Sequence, residues 1–494
     1  MAPRPADEDA ARAVERASAA TFEGEVPDVG NKWARQFSAS RAIPLTVGAC
    51  FFMEGLDSTI IATSLPQIAG ALHVSAAEIG ISLTAYLVSV SMWLAASGWL
   101  ADRFEARRVF VLAILVFLFG SLVCGLSHTL AQLVVGRFLQ GMGGAMMTPV
   151  GRLILARSFP RDELVRAMSY MIIPGLLGPT FGPLVGGWIT TYADWRWIFF
   201  INIPLGLLGI ALAFIHLKPQ PVADTARFDV AGFLLVGFTL VALQAGLEIL
   251  AAEGMFSLPA LAGLLLGLGG LLLYNLHARR RTDPILDLTL FRFRTFATAV
   301  LGGSFSRIVL GATMFLFPLY FQYALGASPI VTGTLMAVLA FGQIALRLGL
   351  DPLLKRLGIK KLLIVNSAAM GLLLAGLLLF RPGVSFWLVG GFIFVFGLIH
   401  SIQLSTLAGL NFSGIPNAAL GKATSLGAVV QRLATAFGIS LTAILIGFTT
   451  GGARPAPADF VLPTLVLSAM MALSILSFLV LRRGDGDDLM KKPG

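Results

Sequence analysis

Apolar runs of about twenty residues, the length needed to cross the hydrocarbon core of a bilayer, recur fourteen times along this chain. They lie at roughly 43–66, 78–100, 108–127, 131–155, 165–190 and 197–217, then 230–250 and 258–277, then 296–323, 330–350, 362–380, 386–410, 421–449 and 461–481. In lipid every backbone N–H and C=O must be satisfied within the segment, so each run has to be a helix. The expected fold is an all-α polytopic membrane protein. Composition agrees: 56% of the 494 residues are apolar and 13% charged, where about 25% charged is usual in a soluble domain.

The net charge of +10 is spread among short loops between the runs, which fits loops facing anionic lipid and argues against a nucleic-acid partner. With the N-terminus inside, Arg103, Arg107 and Arg108, Arg157, Lys218, Arg279 to Arg281, Arg292, Arg294, Lys360 and Lys361 all fall on the cytoplasmic side, while only Arg196, Arg381 and Arg454 fall opposite. An even number of spans with both termini cytoplasmic follows, in the cytoplasmic (inner) membrane. Residues 1–42 lack the apolar core of a signal peptide and read as a cytoplasmic tail. Cys50 and Cys124 both sit inside apolar runs, so neither a disulfide framework nor a metal site is expected.

The loop LADRFEARR (Leu100 to Arg108) aligns with LLKRLGIKK (Leu353 to Lys361), placing Arg103 against Arg356 and Arg107 against Lys360. Two similar six-helix bundles, 43–217 and 295–482, are therefore expected, joined by a linker of 218–294 that carries two inserted helices and followed by a tail of 483–494.

The first run carries Glu54 and Asp57, each costing about 2.5–3.5 kcal/mol at mid-membrane on an insertion scale. Three residues apart on a helix, they share a face. Neighbouring carboxylates in a low-dielectric site resist ionising together, so at least one is expected to hold a proton near neutral pH. Arg137 and Arg307 are also intramembrane charges that need partners. Arg307 either neutralises one of the acids or binds a substrate carboxylate, and both readings stay open. Glu248, His400, Gln403, Asn411, Gln431 and Arg432 are further polar groups on apolar runs, read chiefly as interhelical hydrogen-bonders. His400 is also a candidate proton relay, and Phe305, Phe315, Phe317, Tyr320 and Phe321 either line an apolar cavity or face lipid. No phosphate-binding loop, hydrolase elbow, metal cluster or cofactor fingerprint stands out. The chain therefore reads as a transporter rather than an enzyme, with no cofactor and with a proton gradient as its energy source.

Gly175, Gly178, Gly182 and Gly186 recur three or four residues apart beside Pro179, Pro183 and Gly187. Such a face suits either a tight static helix contact or a seal that slides when two halves rock. GWLADRFEARR, GRFLQGMGGAMMTPVGR, GPTFGPLVGGW and ADWRWIFFINIPLG resemble, in order, signatures of the major facilitator superfamily. LDSTIIATSLPQIA, FDVAGFLL, PILDLTLFRFRTF and ATSLGAVVQRLATAFGISL are similar to those of its fourteen-span drug:proton antiporter group.

The resemblance implies the major facilitator fold and alternating-access efflux of small amphipathic compounds or drugs in exchange for protons. The alternative is export of a small organic anion or metabolite held by Arg307. It implies a conformational role for Gly98, Asp102, Arg103 and Arg107 as a latch, and for Gly178, Gly182, Pro183, Gly186 and Gly187 in the antiporter motif. Proton coupling is implied for Asp57 and Arg137, with Glu54 beside them; Arg307, Gln140, Tyr320, Gln403 and His400 are candidate cavity residues. The sequence departs from the family pattern at Glu105 and Ala106, where Gly and a basic residue are usual, and at Gln431–Arg432, where the order is inverted. The expected partners are a small-molecule substrate, protons and membrane lipid, with a monomer as the working unit.

Overall fold

The computed structural model describes residues 29–485 apart from 160, 220–227, 254–256, 282–283, 346–349, 412, 414, 417–419, 452 and 483–484. Most of the two expected tails lies outside the described residues; Gly98 and Asp102 lie outside those whose side chains are described.

Fourteen long helices follow one another among the described residues. The first six are α1 (Val29–Ile60), α2 (Ile81–Arg103), α3 (Ala106–Gly125), α4 (Leu130–Ser158), α5 (Arg161–Tyr192) and α6 (Asn202–His216). Two more, α7 (Val230–Glu253) and α8 (Leu258–Arg279), precede α9 (Gly303–Leu319), α10 (Pro329–Ala345), α11 (Leu350–Gly376), α12 (Phe386–Leu410), α13 (Leu420–Thr450) and α14 (Val461–Leu479). Among the described residues, 11 helices are long and apolar enough to cross a membrane, by length and composition alone. The helix α1 starts within the stretch expected to be tail, and its crossing runs on through a 3₁₀ turn, Ile61–Ser64, to Leu72.

Packing repeats between the halves. In the first, α1 packs on α5 and α6, α2 on α4, and α3 on α4 and α6. In the second, α9 packs on α13 and α14, α10 on α12, and α11 on α12 and α14. The halves meet where α5 crosses α10 and where α2 crosses α13, pairs that the same repeat exchanges. The inserted α7 and α8 form a hairpin, and α7 lies against both α2 and α13.

The aligned basic loops share a backbone geometry. Glu105 has φ 70° and ψ 122°, and Gly358 has φ 69° and ψ 159°. Each is followed two residues on by a cation that caps another helix: Arg107 donates to the Leu217 carbonyl beyond α6, and Lys360 to those of Leu479 and Leu481 at the end of α14. Positive charge at a helix C-terminus satisfies carbonyls that the helix leaves unbonded. Glycine adopts this backbone without strain; glutamate does not. Glu105 offsets part of that cost with a 2.9 Å ion pair to Arg108, whose side chain is 82% exposed.

At its base the hairpin is tied by Asp229, which accepts from the Gly232 and Ile285 amides, pairs with His277 at 2.8 Å and lies 3.7 Å from Arg281. Burial opposes ionisation of Asp229, but the bonds from His277 and the amides outweigh it and hold the carboxyl below its usual range.

Two outcomes are expected. Glu105→Gly should raise thermal stability by about 1 kcal/mol, since the relief of strain exceeds the loss of an exposed ion pair, and a lowered melting temperature would contradict the backbone assignment. Asp229→Asn should lower the melting temperature at neutral pH. A group with a depressed folded pKa stabilises above its unfolded value and loses that contribution as pH falls through the folded one, so the difference from wild type should shrink in acid.

Candidate functional site

The site is built where α1, α3, α4 and α6 converge. Asp57, Arg137, Gln140 and Asn202 are each 0% exposed. Nη1 of Arg137 donates to Asp57 Oδ2 at 2.7 Å and to Gln140 Oε1 at 2.8 Å. Asp57 Oδ1 accepts from Gln140 Nε2 at 2.9 Å and Asn202 Nδ2 at 2.7 Å, and both amides also reach the Ser121 hydroxyl. Nε of Arg137 donates to the Ser82 carbonyl, and the guanidinium lies over the Tyr86 ring at 4.3 Å. The charged pair is thus neutral as a unit, hydrogen-bonded and stacked, which is what a buried ion pair needs to persist.

The backbone brings these groups within reach by close helix approach. A methyl at Gly120 would sit 2.6 Å from the Gln140 amide nitrogen, so a larger residue would push α3 off α4 and Ser121 away from the amides.

Glu54 lies one helical turn away in a different setting. It is 9% exposed and accepts from Thr148 Oγ1 at 2.9 Å. The positive charges of Arg432, from the second half, and Arg152 act on it. No hydrogen bond joins the Glu54 and Asp57 carboxyls among the described residues. One acid is engaged by a set of fixed donors, the other by a single hydroxyl of α4.

Arg307 is paired with neither acid. Its Nη1 donates to the carbonyls of Ala299 and Val300 at 2.7 and 3.5 Å, within the π turn Thr298–Gly302 that precedes α9. A π turn disturbs the i→i−4 ladder, and the guanidinium takes up carbonyls there. The other candidates of the second half also bond within it. Gln403 donates to Ser306 and Ser367 and accepts from Asn366, while Ser306 meets Ser474 at 2.6 Å. Tyr320 donates to the Leu377 and Phe380 carbonyls, and His400 meets Gln343.

The glycine face of α5 divides between two contacts. Methyl groups at Gly178, Gly182 and Gly186 would strike α1 at Phe52, Leu56 and Ile60, within the same half; one at Gly187 would strike Pro329 of α10, and the Pro183 carbonyl lies against Gly333. The face is therefore a fixed seam on one side and an inter-half contact on the other. Gln67 and Gln322 bond at 2.9 Å across the same end, with Gln322 also donating to the Thr63 carbonyl.

Sequence reasoning did not single out Ser121 or Asn202, because small neutral polar residues in apolar spans carry no distinguishing charge. Asn202 stands in ADWRWIFFINIPLG, the one signal that could have raised it.

Asp57→Ala should leave Arg137 buried without its counter-charge and cost about 3–5 kcal/mol. Asp57→Ala combined with Arg137→Leu should recover most of that loss in melting temperature of purified protein. Equal melting temperatures for the single and double variants would refute the coupling.

A family model described as Major Facilitator Superfamily matches residues 47–439. The chain is 37% identical over 397 residues to "Putative multidrug resistance protein MdtD" of Pectobacterium carotovorum subsp. carotovorum (strain PC1), covering 80% of this chain and 85% of that one. It is 36% identical over 400 residues to the protein of the same description in Escherichia coli (strain SMS-3-5 / SECEC), covering 80% and 84%. Among solved structures, the POT family transporter PepTSo superposes with a TM-score of 0.67 at 14% identity, over 89% of this chain and 97% of that one. A mutant of nucleoside transporter NupG superposes at 0.66 and 13%, over 90% and 100%. With this packing repeat and this match over most of its length, the chain belongs to the major facilitator superfamily.

Proposed function

We propose that this transporter is a proton-coupled antiporter that exports small amphipathic compounds by alternating access, from an inner membrane in which its basic loops face the cytoplasm. The carrying observation is the Asp57–Arg137–Gln140–Asn202 cluster, a titratable group wholly inside the protein and held by donors from two helices besides its own. The likeness to proteins described as multidrug resistance proteins supports the substrate class.

Protonation removes the charge that Arg137 and the two amides serve. Asp57 then has a proton to donate, and Oδ1, which accepts from two amides, must change partners. Asn202 Oδ1 and Arg137 Nη2 are buried without a partner among the described residues, so the cluster has capacity to rearrange: a turned Asn202 amide would accept the new proton. Coupling needs only that proton and substrate bias one two-state element in opposite directions. Glu54, on which the charge of Arg432 from the second half acts, is the group a substrate would meet, one turn away from Asp57. The bonded carbonyl partners of Arg307 favour this reading over an anion held by that residue.

Purified protein in liposomes should release protons when a cationic amphipathic dye is added. Asp57→Asn should abolish that release, whereas Glu54→Gln should weaken the dependence on dye concentration. Substrate-driven proton release unchanged in Asp57→Asn would remove Asp57 from the mechanism.

A further inference from the structure

The inserted hairpin carries a buried carboxylate of its own. Glu248 of α7 is 8% exposed, and its Oε1 accepts from three donors: Thr84 Oγ1 of α2 at 2.9 Å, Ser440 Oγ of α13 at 2.8 Å and Gln244 Nε2 at 2.8 Å. Gln244 also bonds Ser440. Thr84 belongs to the first half and Ser440 to the second, so one oxygen of the hairpin is shared by both.

Among the described residues, no cation is bonded to it. The titratable groups on the elements packed around it are Glu253 on α7; Tyr86 on α2, with Asp102 and Arg103 at its far end and Glu78 just before it; Lys422 and Arg432 on α13; and Tyr274, His277 and Arg279 toward the other end of α8. Arg432 lies about two turns of α13 from Ser440. Three neutral donors converging on one oxygen suit a carboxylate, yet a buried charge held by neutral dipoles alone is costly. Binding a proton removes that cost and weakens all three bonds together.

We propose that Glu248 is a second proton-binding site, through which the hairpin latches the two halves: charged, it ties α2 to α13; protonated, it lets them part. The inference rests on the antiport reading for the rocking motion, and it assigns the inserted pair a part in that motion. The antiport cluster ties helices within one half. Glu248 spans the seam between halves, where a change of one charge acts directly on their separation.

The test uses full-length protein in nanodiscs without substrate, with Cys50 and Cys124 replaced by alanine and nitroxides at Phe104 and Thr424, near the basic ends of α2 and α13. Pulsed dipolar spectroscopy should show the distance distribution shifting with pH in the parent. Glu248→Gln should lose that shift and hold the acid distribution at every pH. The pair Thr84→Val with Ser440→Ala keeps the carboxyl but removes its cross-half donors, and should favour the acid distribution throughout. A titration in Glu248→Gln that overlays the parent, or no pH dependence in the parent, overturns the proposal. Failure of the antiport reading shows separately, as absent dye-driven proton release in liposomes with the Glu248-dependent shift intact.

Discussion

The placement of the chemistry depends on one interaction, the ion pair between Asp57 and Arg137. Neither charge could remain so deep alone, and together they make a neutral unit whose remaining hydrogen-bonding groups draw in Gln140, Asn202 and Ser121. Four helices of the first half are thereby held in register around a group that can change charge. Replacing a buried ion pair by apolar residues of similar volume is often neutral or stabilising, so the pair is weak evidence for a purely stabilising role.

The second half shows the same idea without charge. Ser306, Ser367, Gln403 and Ser474 join α9, α11, α12 and α14, the helices that correspond by the packing repeat to α1, α3, α4 and α6. A neutral network of this kind fixes helices without responding to protons. The depth differs as well: Asn202 opens α6, whereas Ser474 lies well toward the end of α14. Duplication thus preserved which helices are tied together while the tie itself diverged, charged in one half and neutral in the other.

Between the halves, contact is made by backbone rather than by bulky side chains where α5 meets α10, because Gly187 and Gly333 bring main chain against main chain. Surfaces without interlocking side chains can shift with little repacking. The flank where α2 meets α13 is different, since the hairpin lies over it and contributes the polar bridge at Glu248. One seam is smooth and the other is pinned.

Much of this was legible in the chain. The spans could be read because lipid forces every apolar run into a helix, and the repeated basic loop could be read because Arg107 and Lys360 stand in register; their shared task of capping α6 and α14 needed coordinates. The acids were visible as costly charges, and Arg137 as a charge in want of a partner. Their sharing of one helix face suggested two interacting carboxylates; the charge of Asp57 does act on Glu54, while neighbouring helices supply each with its own hydrogen-bond donors. Arg307 looked like a counter-charge and instead serves carbonyls in a π turn, a local break with no signature in the residues. Glu248 read as one polar group among several, because nothing in the order of residues shows that Thr84 and Ser440, from opposite halves, meet on it. By itself the sequence determined the helices, their number and the repeat, for these follow from hydropathy and local backbone chemistry. Only the tertiary structure decided which buried charges pair and which oxygens are shared, because those depend on helix packing between residues tens to hundreds of positions apart.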